Sequence, residues 1–180
     1  DASPAAAAFA SARSGFPVET GSATDLPFGD ASFDFVLSLD VYEHIEDDRR
    51  AAAETFRVLR PGGRLVTTVP CHPFLFSEHD EALHHVRRYT RSGFVDLLAG
   101  AGFSVERVTW TNMFAFPPAA LHRLASRLLP RRKGPPRSDT EAGIGPLNGV
   151  LTGIYAVERR LLRHVPLPLG LGLMAVARRP

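Results

Sequence analysis

The sequence has one cysteine, Cys71, in 180 residues. A single thiol closes no internal disulfide and builds no multi-cysteine metal site, so disulfide-held secreted scaffolds and zinc ribbons are excluded and a reducing cytoplasm is the default compartment. Long hydrophobic runs are missing as well. The longest stretch without a polar residue, 165–177, has 13 residues and is broken by two prolines and two glycines. That is too short and too interrupted to span a bilayer. Lysine is almost absent: of 21 basic residues only Lys133 is not arginine, which beside the many Ala, Pro and Gly reads as coding bias rather than arginine chemistry. No internal repeat is present. The first residue is Asp and no charged-then-apolar leader follows it, so the expectation is a chain that begins inside a domain and lacks an N-terminal part.

What remains is ordinary globular composition, 44% hydrophobic and 22% charged, in a length that suits one domain. The net charge of +2 conceals a division. Residues 1–110 carry 10 Arg against 16 acids, a balance of −6, whereas residues 111–180 carry 11 basic residues against 3 acids, a balance of +8.

Ser3 and Pro4 read as the cap and first turn of a helix over 4–14 that Gly15 stops. Residues 17–20 are a short strand candidate, followed by a loop over 23–32. The run FDFVLSL at 33–39 suits a strand buried on both faces of a parallel sheet. A helix over 47–59 ends at Arg60-Pro61-Gly62-Gly63, and 64–69 is a second buried strand closed by Pro70. A polar loop over 71–90 precedes a helix at 92–101 capped by Thr90, and 103–111 alternates as a strand. Strands alternating with helices indicate an α/β fold with parallel neighbours. Residues 113–130 and 146–164 read as basic amphipathic helices joined by a linker-like segment, 131–145, and 170–178 is a last strand candidate.

Between Asp25 and Pro70 the segments DLPF, FDFVLSLD, VYEHI and RVLRPGG follow one another in that order. This arrangement closely resembles the class I S-adenosylmethionine-dependent methyltransferases of the type 11 or ubiquinone-pathway kind. The resemblance implies a Rossmann-like α/β sheet lacking its first strands, with core residues 1–112 and 165–180. It also implies a basic helical insertion over 113–164 between the last two strands. It further implies a sheet in the order of the family's strands four, five, seven and six, the last in sequence antiparallel. The family's glycine-rich cofactor loop would lie upstream of Asp1.

The same resemblance assigns the residues that would hold S-adenosylmethionine. Asp1 would accept from the ribose hydroxyls, Ser22 and Ala23 would meet the adenine, and Leu39 and Asp40 would line the methionine portion. Asp40, Glu43 and His44 are similar to a Glu-x-x-Glu-His motif that holds a divalent cation in small-RNA 2′-O-methyltransferases and ubiquinone-pathway O-methyltransferases. His85 would complete a site for Mg²⁺, Mn²⁺ or Zn²⁺ that polarises a substrate hydroxyl. The competing reading makes Glu43 and His44 a helix cap. His79, Asp80 and His85 form a second candidate constellation, a histidine base beside a carboxylate at the ligand edge of the sheet; a solvated polar loop is the alternative.

The function that follows is methyl transfer to a hydroxyl of a small molecule or lipid-linked acceptor. The alternative is a cofactor-free remnant acting as a membrane-surface or partner-binding module. Nucleic acid is not expected as a partner, because no stacking aromatics alternate with the arginines. The basic helices could pack as a lid or make peripheral contact with a membrane.

Overall fold

The computed structural model describes residues 2–126, 128 and 148–180. It is an α/β fold whose elements run α1 (Pro4–Ser14), β1 (Phe33–Leu39), α2 (Asp48–Val58), β2 (Leu59–Pro70), α3 (Glu78–Ala82), α4 (Arg91–Gly100), β3 (Ser104–Thr111), α5 (Phe116–Ser126), α6 (Asn148–Leu162) and β4 (Gly172–Arg178). Four strands form one mixed sheet in the order β1-β2-β4-β3. β1 and β2 are parallel, and β4 runs antiparallel to both β2 and β3. The carboxyl ends of β1, β2 and β3 therefore share one edge of the sheet. This is the strand order and direction that the sequence resemblance implies.

One face of the sheet carries Leu65, Val69, Leu173, Ala175 and Ala177, all fully buried. They join Ala51 and Ala52 of α2 and Phe94 and Leu98 of α4 in a single apolar cluster. On the opposite face β1 turns Phe35, Leu37 and Leu39 outward, each more than half exposed, and among the described residues nothing pairs with its outer edge. The expectation that this strand is buried on both faces is not met.

Local chemistry explains most boundaries. Ser3 accepts from the Ala6 amide ahead of Pro4, Asp47 from the Arg50 amide, and Thr90 from the Gly93 amide. The run Arg60-Pro61-Gly62-Gly63 does not separate helix from strand, as the sequence suggested. It lies inside β2 as an irregularity between the pairs Phe33–Leu59 and Phe35–Arg64. Gly62 has φ 83°, and a Cβ on Gly63 would come within 2.9 Å of the Arg60 carbonyl and 3.0 Å of the Asp34 carbonyl. Residues 17–20 form no strand, and the loop expected over 71–90 contains the short helix α3. At the end of α2, the Arg179 guanidinium donates to the carbonyls of Phe56, Arg57 and Leu59, so a residue near the C-terminus satisfies the helix's last acceptors.

Candidate active site

At the shared carboxyl edge the chain leaves three strands through left-handed residues that are not glycine. Asp40 follows β1 at φ 51°, His72 follows β2 at φ 62°, and Asn112 follows β3 at φ 59°. Such conformations cost on the order of 1–3 kcal/mol each and persist where the surrounding structure over-determines them. The carboxyl edge is also where open α/β sheets place their ligands.

A single helical turn, Tyr42–His44, follows Asp40. Tyr42 is buried and donates its hydroxyl to Thr55 Oγ1 at 3.1 Å. The segment after α3 closes over this turn. The Val86 amide donates to the Glu43 carbonyl, the Tyr89 hydroxyl reaches the Tyr42 carbonyl and Asp48, and Arg87 pairs with Asp48 at 2.7 Å. These ties bring together residues far apart in the chain. One ligand atom from each of Glu43, His44 and His85 lies within 4.8 Å of the others, and the two imidazole rings meet edge-to-face at 4.8 Å.

Glu43 is the unusual member. Its side chain is 0% exposed, and neither carboxylate oxygen has a hydrogen-bond partner. Burial pushes its carboxyl up to about 7, with further upward pressure from the Asp40 and Asp80 carboxylates. A buried acceptor pair with no donor is costly. Burial and the neighbouring His85 both hold His44 below the ordinary histidine value.

Asp80 does the opposite, gathering donors. Its Oδ1 accepts from His85 Nδ1 at 2.9 Å and Arg88 Nε at 2.7 Å, and its Oδ2 from the Ser77 amide at 2.9 Å. Arg123 of α5 approaches to 3.8 Å. Burial raises its carboxyl, but these partners, His85 and Arg88 first, outweigh burial and hold it below the usual range. A carboxylate only accepts, so the His85 proton sits on Nδ1 and Nε2 is left as the acceptor atom.

The other residues singled out in the sequence are placed as follows. Asp40 accepts from Thr68 Oγ1 and stands outside the Glu43–His44–His85 group. His79 is on α3 and is also outside that group. Ser22 pairs with Thr24 through their hydroxyls at 2.8 Å, Ala23 packs against the core, and Leu39 is half exposed at the end of β1. Asp1 lies outside the described residues.

Three participants escaped the sequence reading. Arg88 lay in the stretch read as a polar loop, Arg123 in one of the two basic amphipathic helices and Glu158 in the other. Arg123 and Glu158 are in fact 6% and 3% exposed. Glu158 accepts from the backbone amides of Asn112, Met113 and Phe114, which starts the chain toward α5. His72 was also passed over; its ring stacks on Trp110 at 4.9 Å with Nε2 3.0 Å from the Gly170 carbonyl.

The chain is similar in sequence and fold to known proteins. A family model described as a methyltransferase domain matches residues 1–67. A probable S-adenosylmethionine-dependent methyltransferase of Mycolicibacterium smegmatis is 36% identical over 91 residues, 49% of this chain and 35% of that protein. The O-methyltransferase cnsE of Penicillium expansum is 51% identical over 92 residues, 48% of this chain and 33% of that protein. The matched part thus spans about a third of these relatives' length. Among solved structures, a geranyl diphosphate methyltransferase in complex with S-adenosylmethionine superposes with a TM-score of 0.61 at 17% identity, covering 99% of this chain and 66% of that one. In sequence the chain is similar to methyltransferase-domain proteins over residues 1–67, and its fold is that of a solved S-adenosylmethionine-dependent methyltransferase.

Proposed function

We propose that the protein transfers a methyl group from S-adenosylmethionine to a hydroxyl of a small-molecule or lipid-linked acceptor, and that Glu43, His44 and His85 face that hydroxyl. The observation that carries the reading is the orphaned, buried Glu43 carboxylate beside two imidazoles at the carboxyl edge of the sheet. The hydroxyl acceptor is also supported by a relative whose name is O-methyltransferase. In this reading Leu39, Asp40, Ser22 and Ala23 would hold the methyl donor, with Asp1 in the ribose role that the sequence resemblance implies.

S-adenosylmethionine supplies a sulfonium methyl: the new bond forms between the acceptor oxygen and that carbon, and the carbon–sulfur pair returns to sulfur. The chain's task is the proton. His85 Nε2 is the accepting atom, because Asp80 fixes the Nδ1 tautomer and stabilises the imidazolium that results. A positioned base of this kind contributes roughly 10²–10⁴-fold.

The donor set also fits a divalent cation, since an unsatisfied carboxylate and two imidazoles within 4.8 Å suit Mn²⁺ or Zn²⁺ and, less closely, Mg²⁺. Glu43, His44 and His85 would hold it, and the ion would lower the pKa of the acceptor hydroxyl. The separating experiment follows label from the methyl donor into hydroxyl acceptors with and without chelator. A rate lost with chelator and restored by one of these ions supports the cation; a rate unchanged by chelator removes it and leaves His85 as the base. The absence of transfer to any hydroxyl compound, with transfer to amines instead, overturns the oxygen reading.

A further inference from the structure

Asp80, the carboxylate that orients His85, is fully buried, yet its own helix gives it little support. α3 has only five residues, a length that is not stable by itself. Ser77, at its start, supports Asp80 Oδ2 through an amide at 2.9 Å and a hydroxyl at 3.3 Å. Two buried guanidiniums from elsewhere in the chain tie the carboxylate to the rest of the fold. Arg88 donates Nε to Oδ1 at 2.7 Å and Nη1 to the carbonyl of Cys71, the residue after β2, at 3.1 Å. Arg123 of α5 brings Nη1 to 3.8 Å from Oδ2 and donates from the same nitrogen to the Leu75 carbonyl at 3.4 Å.

Each guanidinium thus fastens one oxygen of Asp80 to a different part of the molecule, Arg88 to the end of β2 and Arg123 to α5. Held from both sides, the carboxylate cannot turn away from His85 without stranding buried charge, which is costly. α5 is seated on the same turn at its other end, where the Phe116 ring lies 5.1 Å from that of His72, just ahead of Pro73–Leu75. We propose that Arg88 and Arg123 are positioning residues for His85. They fix Asp80, Asp80 fixes the proton on His85 Nδ1, and Nε2 is presented to the acceptor only while α5 is docked through Arg123. Neither arginine touches the reactants. The proposal rests on the reading of His85 as the base and deepens it, because it makes the segment after β3 part of the catalytic apparatus.

The test reads the His85 ring directly by nitrogen-15 NMR, its signals identified by their loss in His85→Gln. In the unaltered protein the neutral ring is expected in the Nδ1–H form alone. Arg88→Met and Arg123→Met, which keep an extended side chain and remove the charge, should each give a mixture of the two tautomers, with the larger change for Arg88→Met. Arg123→Lys, which keeps a cation over Oδ2, and Leu121→Ser, at an exposed position of the same helix, should keep the single form. In label transfer from S-adenosylmethionine, Arg123→Met should lower kcat about tenfold, the lower end for loss of a group that supports an active histidine, with KM for the donor unchanged. Arg123→Lys and Leu121→Ser should stay within about twofold of the unaltered rate. A single Nδ1–H form in an Arg123→Met protein whose circular dichroism shows it folded overturns the proposal whatever its rate. Equal losses of rate in Arg123→Met and Leu121→Ser overturn it too, as does a change confined to KM. If Arg88→Met does not fold, Arg123→Met, whose charge stands farther from Asp80, decides alone. Mixed tautomers in Arg123→Met, with no hydroxyl transfer by the unaltered protein, uphold the positioning and overturn the hydroxyl-transfer reading instead.

Discussion

The sheet with α2 and α4, and the pair α5 and α6, are held by different kinds of contact. In the first region Leu65, Val69, Phe94, Leu98 and Leu173 are buried, and charged residues such as Arg60 and Asp34 pair at the surface. In the second, Arg123 and Glu158 are buried, Leu151, Ile154 and Leu162 are half-buried, and Leu121 and Leu124 are exposed. Stability of the first region comes from apolar area removed from water, at about 25 cal/mol per Å². The second is held by a few charge-assisted hydrogen bonds, each worth roughly 1.5–3 kcal/mol.

Substitutions should separate the two regions sharply. The largest loss is expected for Phe94→Ala, which empties the centre of the cluster and should lower unfolding free energy by about 3–5 kcal/mol in urea titrations. A loss below about 1 kcal/mol would mean that the core is less well packed than the sheet register implies. Glu158→Leu should cost less in global stability, about 1–3 kcal/mol, because three amides lose their acceptor. Its sharper signature is faster hydrogen exchange at 112–114 and along α6 with β1 and β2 unchanged; uniform acceleration across the sheet would contradict the division.

A smaller effect depends on pH. Hydrogen bonds from Arg57, opposed by burial, hold Glu54 down to about 2, and the Leu26 amide adds to the same side. Its folded value is depressed, so its stabilisation is fully present above the ordinary carboxylate value of 4.5 and is lost as pH falls toward 2. Glu54→Gln should remove this part of the acid destabilisation measured by thermal unfolding between those limits, and an unchanged pH profile would show that the pair contributes nothing. Smallest of all, Leu121→Ser should change unfolding free energy by less than about 0.5 kcal/mol, since the leucine already stands in water. A loss like that of Phe94→Ala would mean that α5 packs by its leucines after all.

Legibility in the sequence follows the same line. β1 and α1 were readable to the residue, because FDFVLSL has no competing period and Ser3-Pro4 with Gly15 brackets the helix. The strand order came from the resemblance carried by RVLRPGG and its neighbours, not from periodicity. Glu43, His44 and His85 were named, but Asp40 was grouped with them through motif spacing, whereas the left-handed turn at Asp40 directs its carboxylate to Thr68. Arg123 and Glu158 were not legible because helical periodicity assigns charges to solvent, and only tertiary contacts between residues 43 or more apart reverse that assignment.

The central claim is that His85, oriented by Asp80 beside Glu43, takes the acceptor proton in methyl transfer. Its most direct measurement is the rate at which label moves from S-adenosylmethionine to a hydroxyl acceptor in three forms of the protein: unaltered, His85→Gln, and Glu78→Gln as a control on α3 outside the site. The account predicts that His85→Gln lowers kcat by roughly 10²–10⁴-fold with the fold retained, and that Glu78→Gln leaves it within about twofold, the range of a surface change. Equal rates in the unaltered and His85→Gln proteins, with both correctly folded, would contradict it.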